Sequence, residues 1–90
     1  MNVFLYSAQS NEQLAQGRSA LEDDLDDFLK DAGQVTGGGS GDLGWNVDLE
    51  VVVDDLEPLL ERLVGFLRGW PVPPDAYMMI GERRLDVFPK

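Results

Sequence analysis

The stretch WNVDLEVVV, residues 45–53, constrains the fold more than any other part of the chain. Successive side chains of a strand point to opposite faces, so Trp45, Val47, Leu49, Val51 and Val53 share one side and Asn46, Asp48, Glu50 and Val52 the other. A strand with one apolar and one polar face belongs to a sheet covered on a single side. That calls for an antiparallel or mixed sheet whose helices all lie on the same face.

Two segments supply those helices. Leu14, Leu21, Leu25, Phe28 and Ala32 recur at spacings of 7, 4, 3 and 4 and, with Leu29, predict an apolar stripe along a first helix. Ser10 or Asn11 is placed to cap it and Gly33 to stop it. Leu56, Leu59, Leu60, Leu63, Val64, Leu67 and Trp70 predict a second helix with a broader apolar face. Asp55 stands at its cap and Pro58 in its first turn, where a missing N–H is harmless, and PVPP (71–74) forbids continuation.

The remaining runs read as strands and connections. NVFLYSA (2–8) is long enough for a buried strand and too short for a helix, QVT (34–36) reads as a brief strand, and GGGSGDLG (37–44) as a flexible connection. AYMMI and RLDVF flank GER, which predicts a last strand with a hairpin extension. The expected fold class is α+β: a ferredoxin-like βαββαβ two-layer sandwich with two helices on one face of a four-stranded, mostly antiparallel sheet, extended by an extra C-terminal strand. Ninety residues predict one domain, 1–90.

Composition removes several kinds of chemistry. The chain has no Cys and no His, which takes away thiolate catalysis, zinc-thiolate sites and the usual general base. Ser7, Ser10, Ser19 and Ser40 therefore have no His to activate them. GSGDLG (39–44) matches GxGxxG, but a strand follows it where the dinucleotide motif needs a helix. EDDLDDFLKD lacks the spacing of a calcium loop, and Asp48 with Glu50 reads as a solvated strand face. No cofactor or metal is expected, and no enzymatic activity. The N-terminal run lacks the basic residues of a secretory signal, and no apolar run has the length of a membrane span, which predicts a cytoplasmic protein without membrane contact.

Charge is the remaining signal. The net charge is −10, and thirteen of the seventeen acids fall between Glu22 and Glu61 with only Lys30 for balance. Nucleic acid is not expected as a partner, because phosphate binding needs clustered Lys and Arg. Like charges at i and i+4 (Glu22/Asp26, Asp23/Asp27, Asp27/Asp31, Glu57/Glu61) each oppose a helix by about 0.2–0.5 kcal/mol, and Asp is a poor helix former. An acidic face keeps a small domain soluble, yet lysines interspersed among those acids would do so without the repulsion. The pattern predicts a face that meets a basic protein.

The Cys-free, His-free acidic pattern, and TGGGSGDLGWNVDLE (36–50) in particular, resembles small immunity proteins of bacterial toxin systems, including contact-dependent inhibition. That resemblance implies a monomer that binds and neutralises one cognate toxin, often a nuclease, in a heterodimeric complex. The residues expected to meet the partner are Asp23, Asp24, Asp26, Asp27 and Asp31 on the first helix, with Asp42, Trp45, Asp48 and Glu50 on the loop and strand. Trp45 also alternates with the buried face. A different class of function, a small-molecule-sensing or regulatory module working as a homodimer, would use Val52, Tyr77 or Met79 at its interface.

Overall fold

A computed structural model describes residues 1–8, 18–41, 44–70 and 72–89, with the Arg18 side chain left out. Strand β1 spans Asn2–Ser7, helix α1 Arg18–Leu29, β2 Gly33–Gly41, β3 Gly44–Val51, helix α2 Leu56–Gly69, β4 Tyr77–Ile80 and β5 Arg83–Asp86; a 3₁₀ turn, Lys30–Ala32, joins α1 to β2. The five strands form one antiparallel sheet in the order β2-β3-β1-β4-β5. Both helices bury leucines in the core that this sheet covers from the other side. The result is α+β, with five strands where four and an extension were expected.

Strand β3 follows its alternation. Trp45, Val47, Leu49 and Val51 are buried under the helices, while Asn46 and Asp48 are half-buried and Glu50 exposed on the open face. Val53 lies past the strand end and is 36% exposed. The core joins these residues to Val3 and Leu5 of β1, Leu21, Leu25 and Leu29 of α1, Leu59, Leu60, Leu63 and Leu67 of α2, and Met78 of β4. Each fully buried leucine contributes about 1.5–3 kcal/mol through the apolar area removed from water.

Three expectations are corrected. GGGSG is strand, not loose connection: β2 runs to Gly41, pairing with β3 from Gly33↔Val51 to Gly41↔Gly44 and slipping register once between Val35 and Gly37. Glycine has poor strand propensity, but pairing with the long β3 decides the matter. Second, the α-helix ends at Leu29, where Lys30 enters the left-handed region with φ of 50°, and Gly33 is already the first residue of β2. Asp31 therefore lies in the 3₁₀ turn and not in the helix. Third, Asp55 stands at the start of α2 without a capping bond from its side chain. The expected cap at Ser10 or Asn11, and Leu14, lie outside the described residues.

Two joints hold the sandwich together. Gly44 begins β3 with φ of +131°, and a Cβ there would collide with the Ser7 carbonyl, so β1 and β3 approach closely only because the residue is glycine. Beyond PVPP, the Asp75 carboxylate accepts from Ser7 Oγ at 2.7 Å and from the Ala8 N–H at 2.8 Å, fastening the turn before β4 to the end of β1. The two-residue turn Gly81-Glu82, with φ of +62° at Gly81, then closes the β4–β5 hairpin. Among the described residues no helix is long and apolar enough to cross a membrane.

Candidate protein-binding surface

Helix α1 turns Leu21, Leu25 and Leu29 inward, which leaves Asp23, Asp24, Asp26 and Asp27 exposed on its outer side. These aspartates are not equivalent. Asp24 Oδ2 accepts from the Trp70 indole N–H at 2.8 Å, tying α1 to the end of α2. Asp26 Oδ1 accepts from the Val35 N–H at 2.9 Å, one residue before the register slip in β2. That bond occupies a backbone donor of the edge strand and, with the bulge, protects the edge against adventitious pairing. Asp23, Asp27 and Asp31 make no hydrogen bond or ion pair with any described residue.

The strand residues face elsewhere. Asp48 and Glu50 lie on the open side of the sheet, opposite the helices. Asp31 and Glu50 alone come together across the β2 edge, where they line a shallow hollow with Gly33, Gln34 and Val52. Trp45 is corrected from the surface to the core at 3% exposure, because the alternation that puts Asp48 outside puts the indole inside. Among the described residues its N–H has no acceptor. Asp42 lies outside the described residues. Among the described residues, no group of three carboxylates is arranged to hold a metal ion.

The cationic half of the molecule is arranged differently. Arg62 and Arg68 belong to α2, and Arg83 and Arg84 to β5. Arg83 forms a two-pronged ion pair with Glu57, with Nη1 on Oε1 and Nη2 on Oε2 at 3.2 Å. The hydrogen bonds from Arg83 hold the Glu57 carboxyl below its ordinary pKa, and the Glu57 partner raises that of Arg83. Arg68 Nε donates to the Val87 carbonyl at 2.7 Å, and Arg84 Nε to Asp86 Oδ1 at 2.9 Å. Among the described residues, Asp23, Asp27 and Asp31 thus form a row of acids without an ion pair along α1 and the turn after it.

No protein-family model matches this chain, and no curated protein and no solved structure does so either.

One part of the surface escapes a charge-based reading of the sequence. On the open face Phe4 and Tyr6 of β1 stand beside Tyr77 of β4, with Tyr6 and Tyr77 stacked at 5.4 Å and Arg84 lying 3.9 Å over the Tyr77 ring. The signal was present in NVFLYS, whose buried positions Val3, Leu5 and Ser7 alternate with half-buried Phe4 and Tyr6. Read as a continuous apolar run, it concealed an aromatic stripe facing outward.

Proposed function

We propose that this chain is a non-enzymatic inhibitor, an immunity protein that binds a basic, nuclease-type toxin domain in the cytoplasm and blocks it sterically. The observation that carries this reading is the uncompensated row Asp23, Asp27 and Asp31 on the outer side of α1 and its following turn. Exposed carboxylates that pair with no described residue are placed to draw in an oppositely charged surface, and their field speeds association with it. Asp24 and Asp26 have internal partners and add to the same field. Because α1 and the open sheet face lie on opposite sides, one flat partner surface meets Asp23 and Asp27 but not Asp48.

The scaffold supports the ferredoxin-like reading. Setting aside the appended β5, the strand order β4-β1-β3-β2, with one helix after β1 and one after β3, is the arrangement of a split βαβ pair. Such a sheet gives α1 a rigid base, so its acids meet a partner without an ordering penalty.

The test is survival. The chain is co-expressed in turn with each basic toxin domain encoded by its source organism. Protection against one toxin, lost in the Asp23→Asn/Asp27→Asn/Asp31→Asn triple variant while that variant stays folded, is the expected result. Protection against none of them would end the proposal.

A further inference from the structure

The pairing registers set the open face out in rows. One row runs Gly39, Asn46, Tyr6, Tyr77, Asp86, and the next Gly37, Asp48, Phe4, Met79, Arg84. On the β5 side an arrangement is complete: the Arg84 guanidinium lies over the Tyr77 ring, and its Nε donates to Asp86. On the β3 side the residue opposite Tyr6 is Asn46, and the diagonal position, held by Arg84 on the β5 side, is a carboxylate, Asp48. Tyr6 continues the stack, and Asp48, diagonal to it, has one carboxylate oxygen accepting from Asn46 Nδ2 at 2.9 Å.

There is open surface beside these residues: Gly37 and Gly39 present no side chain next to Asp48 and Asn46, and a shallow hollow lined by Tyr6, Tyr77, Asn46, Gly39 and Gly41 adjoins the row that holds Asp48. An aromatic stripe of this kind stacks any flat, electron-poor group, and two chemistries are common: nucleobases and guanidinium. The surroundings decide between them. Asp48 and Glu50, which form no ion pair with a described residue, repel a phosphate backbone and attract a positive charge.

We propose that the open face is an arginine-docking site: an arginine of a partner protein lays its guanidinium over Tyr6 and pairs with Asp48, repeating what Arg84 does over Tyr77 with Asp86. Lysine fits less well, since an ammonium lacks the planar fork that stacks and pairs at once. The site lies on the face opposite α1, and it stands or falls separately from the function proposed above.

The experiment is an NMR titration of the isotope-labelled full chain at low salt with two peptides of equal length and charge, one of eight arginines and one of eight lysines. The arginine peptide is expected to shift the Tyr6 ring and Asn46 side-chain signals and to bind roughly three- to five-fold tighter than the lysine peptide. Asp48→Asn and Tyr6→Leu should each remove that preference. Gly39→Val tests the geometry apart from charge: a Cβ there meets Asn46 Oδ1 at 3.4 Å, which the strand accommodates, and the side chain fills the hollow. Core signals unchanged from the parent confirm that each variant is folded. Equal affinity for both peptides with shifts confined to α1 would overturn the proposal, as would binding of a single-stranded oligonucleotide at the same ring. Free arginine binding as tightly as the peptide would overturn the assignment to a protein partner.

Discussion

Helices α1 and α2 lie over the same sheet and bury the same kind of inner face, yet they differ in how far their outward carboxylates are balanced. Of the two acids of α2, Glu57 is ion-paired and Glu61 makes no ion pair with a described residue, whereas no aspartate of α1 has an ion-pair partner among the described residues. Glu57 on α2 is gripped by Arg83 from β5, so its charge is answered within the molecule. Asp23 and Asp27 on α1 are answered by nothing described. The fold is therefore able to balance an acid on a helix surface, and does so in one half. The unpaired acids are more numerous along α1 and its following turn, where Asp23, Asp27 and Asp31 stand against Glu61 alone on α2, and this is why a partner is proposed for the α1 side.

The comparison is broken most severely through the core. If the helices differ only outwardly, Leu25→Ala and Leu63→Ala, both at fully buried positions, should each lower unfolding free energy by about 2–5 kcal/mol in urea titrations. A negligible loss at Leu25 would mean that α1 is loosely held and its charges are free to rearrange. The next effect separates acids within α1. Asp24→Ala leaves the Trp70 indole N–H without its acceptor and Asp26→Ala does the same to Val35, so each should destabilise by about 0.5–1.5 kcal/mol.

Asp23 and Asp27 should respond with the opposite sign. They stand one turn apart as like charges, and Asp23→Asn/Asp27→Asn should stabilise the chain by about 0.2–0.5 kcal/mol at low salt, an effect that fades as salt rises. A loss of stability in that double variant would reveal an internal role for these acids. The smallest effect belongs to Glu57, which is fully exposed. Its carboxyl is held below the ordinary value by the Arg83 hydrogen bonds, so its contribution is present above the unfolded-state pKa and disappears as pH falls through the lowered one. Thermal melts of Glu57→Gln should show a slight deficit at neutral pH that closes as pH falls below the ordinary glutamate range.

How much of this was legible in the sequence depended on where the deciding partner lay. Helix α2 and strand β3 were readable because each carries its own full apolar period, and nearby residues such as Pro58 marked the boundaries. Strand β2 was not, because its glycines have no side chain to show a period and its pairing is decided by β3. The end of α1 turned on the backbone of Lys30, a residue with no terminating signature. Among the site residues, the outward placement of Asp23, Asp27, Asp48 and Glu50 followed from periodicity alone, although Asp48 is half-buried there. The internal duties of Asp24 and Asp26 did not, since Trp70 and Val35 reach them only in three dimensions.

The central claim, that the unanswered acids of α1 exist for a basic partner, is tested most directly by the association rate constant with a basic toxin domain against which the chain protects in the co-expression test, measured against salt concentration. The expected result is a rate that falls steeply as salt rises for the parent chain, and a slower, flatter dependence for Asp23→Asn/Asp27→Asn/Asp31→Asn. A rate indifferent to salt, or a triple variant that associates as fast and with the same slope as the parent, would contradict the account.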